Sequence, residues 1–76
     1  MPLPRFATVG LLSEDYRSRG VRAGDTGVIL DVYGDTAYEV EFSRDDGTTI
    51  ARFALPQDQV ALATETETAA PRSSRG

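Results

Sequence analysis

Asp31, Glu39 and Glu41 lie close together in the middle of this 76-residue chain, and carboxylates in such numbers can do acid–base work or hold a hard cation. Either role needs surroundings that drive the pKa values apart or complete an oxygen cage. The alternation Tyr38-Glu39-Val40-Glu41-Phe42 instead sends both glutamates to the outer side of a strand, where water solvates them. Asp45-Asp46-Gly47 has the look of a calcium loop but lacks the later bidentate glutamate, so it reads as a turn. Ser13, Ser18 and Ser43 have no activating base within the chain, because there is no histidine, and cysteine is also missing. We therefore expect no catalytic residue, no metal site and no cofactor, and the chain is read as a non-enzyme. Gly24-Asp25-Thr26-Gly27 is too short to cradle a phosphate and precedes a strand instead of a helix. Its glycines suit positive φ or close backbone approach, and Asp25 an Asx-type turn.

One positive feature remains. Arg17, Arg19 and Arg22 share a loop with Tyr16, and arginine beside an aromatic is a common anchor for a protein or nucleic-acid partner. Tyr33 is expected to point outward and is a second exposed aromatic. Glu14 and Asp15 stand next to the arginines and are placed to neutralise them.

These residues need elements to hold them. A first strand is expected over Phe6–Leu12, followed by a polar loop over Ser13–Gly24 with room for one helical turn. Further strands are expected over Thr26–Tyr33, Thr36–Ser43 and Thr48–Leu55. Leu55-Pro56-Gln57-Asp58-Gln59 suits a 3₁₀ turn, and Val60–Ala63 makes a short closing strand. Asp46-Gly47 at the centre of a type I′ turn pairs Phe42 with Ala51, Val40 with Phe53 and Tyr38 with Leu55, all on the core face. The same register sets Glu41 opposite Arg52, where a cross-strand ion pair is expected. The preceding hairpin is less regular. A two-residue Gly34-Asp35 loop would turn Asp31 toward the core. A three-residue Gly34-Asp35-Thr36 loop avoids this but sets Asp31 against Glu39, and a bulge near Ile29 brings both Ile29 and Val32 inward. We expect the longer loop or the bulge. Gly34 and Gly47 then join Gly24, Asp25 and Gly27 as the structural turn residues.

Composition bounds the rest. A chain this short holds one domain with a modest core, here residues 1–63. The formal net charge is −4, with 12 acids against 8 basic residues, and such a surface repels phosphate backbones at long range. No apolar run approaches a membrane span, and residues 1–5 open no signal-peptide pattern, so a cytoplasmic setting is expected. Residues 64–76, Thr-Glu-Thr-Glu-Thr-Ala-Ala-Pro-Arg-Ser-Ser-Arg-Gly, lack any large apolar side chain and are expected to form a disordered tail.

Val21–Phe42, followed by Asp46-Gly47-Thr48 and by Leu55-Pro56-Gln57-Asp58-Gln59-Val60, resembles a family of small bacterial proteins of unknown function. That family shares an Ala-Gly-Asp-x-Gly-x-Val turn, a Tyr-Glu-Val-Glu-Phe strand and a Leu-Pro-x-Asp-Gln-Leu ending. The likeness spans about residues 6–62, with Val60 in place of the usual leucine. It implies a five-stranded, all-β, SH3-like (KOW-like) antiparallel barrel and brings no catalytic residue. Arg19-Gly20, Ala23-Gly24 and Gly27-Val28-Ile29 are similar, over a shorter stretch, to the barrel of nitrile hydratase β-subunits, a subunit-packing domain. The expectation that follows is an interaction module of accessory, antitoxin or immunity type. It would bind a protein partner through residues 13–24 and the adjacent strand face. A KOW-type nucleic-acid or ribosome-associated module is the alternative, which the acidic charge disfavours. Homodimerisation through a free edge strand is also open to such a fold.

Overall fold

The structure is a computed structural model that describes residues 2–63; the expected tail at 64–76 lies outside the described residues. It is all-β, with five antiparallel strands: β1 (Thr8–Leu11), β2 (Thr26–Tyr33), β3 (Ala37–Ser43), β4 (Thr49–Pro56) and β5 (Val60–Leu62). Their order in the sheet is β4-β3-β2-β1-β5. Single 3₁₀ turns occupy Arg17–Arg19 and Gln57–Gln59, the second where Pro56 ends β4.

The expected barrel is not closed. β4 and β5 end the strand order on opposite sides, with no ladder between them. The 3₁₀ turn after Pro56 redirects the chain, and the three residues of β5 pair with β1 instead (Val9 with Leu62, Leu11 with Val60).

Pairing follows the alternation of the sequence. Val9, Leu11, Ile29, Tyr38, Val40, Phe42, Phe53, Leu55 and Val60 point inward and, with Val21 from the long loop, make the core; among the described residues no polar or charged residue is buried. One inward row runs unbroken across the sheet through Leu62, Val9, Gly27, Phe42 and Ala51. Gly27 is required in it. A Cβ there would lie 2.7 Å from Val40 Cγ1, 2.8 Å from the Glu41 carbonyl oxygen and 2.9 Å from Phe42 Cδ1. The row on the other face reads Thr8, Val28, Glu41, Arg52.

The β2–β3 hairpin carries both expected irregularities. Gly34-Asp35-Thr36 is the loop, and Ile29 pairs with Val40 while Asp31 pairs with Glu39, so Leu30 is the extra residue of a bulge. The bulge restores the alternation and brings Ile29 and Val32 to the same side. Gln57 braces the loop by donating from Nε2 to the carbonyls of Gly34 (3.0 Å) and Ala37 (3.3 Å).

Three expectations change. The three β3–β4 pairs are as expected, but the turn is not type I′. Gly47 N–H donates to Arg44 O (2.9 Å), and of the two central residues Asp45 and Asp46 neither has positive φ. Gly47 does, at +91°, giving a type I turn followed by a left-handed glycine, and the register slips by one between Phe42 and Ser43. Asp46 favours this form because its carboxylate accepts from the Thr48 N–H (3.0 Å) and hydroxyl (2.7 Å). Asp25 does not form an Asx turn; its Oδ2 reaches back to accept from Arg22 N–H at 2.9 Å.

The first strand is also shorter than expected, starting at Thr8. A turn over Pro4–Ala7 precedes it, closed by Ala7 N–H to Pro4 O (3.3 Å), with Phe6 at φ +70°. Phe6 N–H donates to Ile29 O (2.7 Å), and Ile29 N–H donates to Ala7 O (3.0 Å), so two residues oppose one across the ladder.

Candidate protein-binding surface

The long loop is tied down by its own polar groups. Ser13 Oγ accepts from Asp15 N–H (3.0 Å), Glu14 Oε2 accepts from Ala23 N–H (3.2 Å), and the Arg22–Asp25 turn is closed by Asp25 N–H to Arg22 O (3.0 Å). Gly24, at φ +95°, supplies the left-handed third residue of that turn. Gly20 ends the 3₁₀ turn in the same conformation.

Tyr16 does not stand out as an exposed anchor. It is half-buried against the core, its ring centroid 5.2 Å from that of Phe53, which lies 5.6 Å from Phe42. Arg19 covers the stack, its guanidinium carbon 4.4 Å from the Phe53 centroid. That contact is a cation–π arrangement. It holds the guanidinium plane over the ring. Arg17 lies 3.9 Å from Glu14, a loose pair on an exposed turn. Among the described residues Arg19 and Arg22 make no ion pair. The expected neutralisation by the neighbouring acids therefore reaches only Arg17. Glu14 is shared with a backbone N–H, and Asp25 closes the turn.

Tyr33 is on the outer face as expected, 44% exposed, but far along the chain from this loop, at the other end of β2. Its hydroxyl donates to Glu39 Oε1 at 3.1 Å, and this bond, more than the small desolvation, holds the phenol above its ordinary pKa. The like-charged pair Asp31 and Glu39 is relieved separately on each side. Arg5 reaches Asp31 (3.1 Å) and Arg52 reaches Glu39 (3.2 Å). Asp31 is held below the usual carboxylate range by the Val32 N–H first and by Arg5 second. Asp46 is lowered in the same sense by its two bonds from Thr48. Arg52 thus pairs diagonally with Glu39, and Glu41, its directly opposed neighbour, instead accepts from the Thr49 hydroxyl (2.8 Å).

A recess of about 660 Å³ is lined by Gly24, Asp25, Thr26 and the Ser43–Asp46 segment. Two of its carboxylates, Asp25 and Asp46, already accept turn hydrogen bonds. A second recess of about 460 Å³ lies by Leu3, Tyr38 and Val60, where Leu3 N–H donates to the Tyr38 hydroxyl at 2.6 Å.

Sequence reasoning missed two features. The seat of Tyr16 and Arg19 on Phe53 joins residues more than thirty positions apart, and no local pattern announces it. The sequence pattern makes Phe6 an ordinary strand residue, yet it is 72% exposed and left-handed. Glycine at position 6 would have signalled the turn; phenylalanine hides it.

Residues 6–62 match the family model of a domain of unknown function, DUF4926. The chain belongs to that family. Comparison with curated proteins and with solved structures finds no match. Among the described residues, no helix is long and apolar enough to cross a membrane.

Proposed function

We propose that this protein is a non-enzymatic interaction module that binds one protein partner through residues 13–24 and the adjacent strand face. The observation that carries the reading is Arg19, fixed over Phe53 at 4.4 Å with no carboxylate partner among the described residues. Arg22 stands on the same braced loop and likewise makes no ion pair among the described residues. A positioned, unneutralised guanidinium beside an aromatic is the kind of group that dominates protein interfaces. The overall charge of −4 favours a protein over a nucleic acid as the occupant.

An accessory, antitoxin-like or immunity-like role in the cytoplasm, within an SH3-like or KOW-like family of folds, completes this reading. The small acidic chain and the five short antiparallel strands support it. The test is capture by the tagged full chain at native expression levels, beside a variant carrying Arg17→Ala, Arg19→Ala and Arg22→Ala. The reading predicts one stoichiometric protein with the wild type and its loss with the variant. Recovery of no such protein, or of RNA that leaves as salt rises, overturns it.

A further inference from the structure

We propose that the protein partner adds an extended, acidic segment as a further strand along the open edge of β4, where a carboxylate of that segment meets Arg19. The proposal rests on the reading that residues 13–24 meet a protein, and it names the form and the charge of what they meet.

The edge is open over its middle. Gln57 N–H donates to Thr36 O (3.1 Å), which makes Thr36 and Gln57 a hydrogen-bonded rung at the end of the β3–β4 ladder. Bonded and unbonded rungs alternate in an antiparallel pair. Tyr38–Leu55 and Val40–Phe53 are therefore bonded, and Glu39–Ala54 and Glu41–Arg52 are not. Pro56 agrees with this alternation, since it has no N–H to give and shares an unbonded rung with Ala37. The N–H and C=O of Arg52 and of Ala54 hence point away from β3. β4 ends the strand order on that side, so among the described residues these groups have no ladder partner. Both residues are exposed. Such an edge takes another strand, backbone to backbone. Pro56 and the slip at Phe42/Ser43 bound the stretch, and neither proline nor bulge interrupts it between them. β5, the edge at the other end of the order, is a template of only three residues and carries no charge.

Charge says what the added strand carries. Phe53 points inward from the edge strand, and a residue directly opposite it on an added strand has its Cβ about 4.5–5.5 Å away on the same face. Arg19 already lies there, its guanidinium carbon 4.4 Å from the Phe53 centroid, with no ion pair among the described residues. A carboxylate opposite Phe53, or two residues to either side, accepts from that guanidinium. Arg52 is the single charged residue of β4 itself. The edge therefore presents cations in a chain of net charge −4, and an acidic strand complements it. A second copy fits poorly, because pairing two β4 edges antiparallel brings Arg52 toward its own counterpart. A nucleic acid has no strand backbone to add.

Random peptides of about nine residues, displayed on phage and selected on the full chain, supply the probe. Recovered sequences are synthesised and their complexes followed by amide hydrogen exchange. The proposal predicts extended sequences with Asp or Glu at one fixed position. Binding should slow the Arg52 and Ala54 amides about tenfold or more, while the Phe53 and Leu55 amides, already bonded to β3, change little. Ala54→Pro removes an outward N–H without touching the β3 ladder and should weaken the peptides about tenfold or more. Arg19→Ala should weaken them by a similar factor, and replacing the fixed Asp or Glu by Asn or Gln should abolish that dependence. Where Ala54→Pro does not fold, the exchange rates of the wild type decide alone. Failure to select any peptide overturns the proposal, as does a basic consensus or apolar spacing of helical period. Peptides that need Arg19 but leave both amides unchanged overturn strand addition and leave the loop reading standing. Failure of the loop reading is seen separately, in capture with the triple arginine variant. Slow exchange of both amides in the chain alone shows the edge already taken, by a second copy or by residues 64–76, and overturns the proposal too.

Discussion

Gly10 and Gly27 stand one rung apart on the β1–β2 ladder, where Val9 pairs with Gly27 and Gly10 with Thr26, and they face opposite sides of the sheet. At Gly27 an added Cβ would press on three atoms within 3.0 Å; at Gly10 it would meet open space. The inner glycine exists because β2 and β3 approach too closely for a side chain. No packing in the described chain demands the outer one. The inner glycine is therefore explained by the fold, while the outer face keeps at Gly10 an open site that the fold does not need. Elsewhere, Phe6 is exposed, and Arg19 and Arg22 make no ion pair among the described residues.

The sharpest way to break this division is to damage the inner row. Phe42→Ala empties the centre of the Tyr16–Phe53–Phe42 stack and should cost about 3–5 kcal/mol, enough to unfold so small a domain, as circular dichroism would show. Phe6→Gly, in the turn before β1, should act with the opposite sign. Relief of the left-handed aromatic should raise stability by about 1 kcal/mol in urea denaturation, and a loss of that size would show that Phe6 serves the fold after all. Arg52→Ala on the charged half should cost only about 0.2–1 kcal/mol, because its bridge to Glu39 is exposed.

Smaller still are the pH effects. Asp31 and Asp46 have lowered folded-state pKa values. Their contribution is present above the unfolded carboxylate pKa of about 3.9 and is lost as pH falls through the folded value. Melting temperature should hold steady down to about pH 4 and then fall, and Asp46→Ala should flatten that fall. Tyr33 runs the other way. Its raised pKa means the folded state keeps the phenol proton longer, so its contribution is present below about pH 10 and lost as pH rises through the folded value. Absorbance titration of the wild type against Tyr33→Phe reads this directly.

The inner face was the legible one. Alternation in Tyr38–Phe42 fixed the β3–β4 pairs, and the conflict between Asp31 and the core announced the Gly34-Asp35-Thr36 loop and the bulge together. The type I′ assignment to Asp46-Gly47 failed because the Asp46 bonds to Thr48 reward a different turn with nearly the same register. Barrel closure failed because the strand sequence does not say which edges meet. The arginine loop was also visible in composition. Its division into a core-facing Tyr16, a stacked Arg19 and an unpaired Arg22 was not, since each depends on Phe53 or on loop hydrogen bonds.

The most direct test of the two-sided account is a matched pair of urea denaturation curves for Gly27→Ala and Gly10→Ala at a concentration low enough to keep the chain monomeric. The account predicts a loss of about 1–3 kcal/mol for Gly27→Ala, and for Gly10→Ala a change between no loss and a gain of about 1 kcal/mol. Equal losses at the two positions would contradict it.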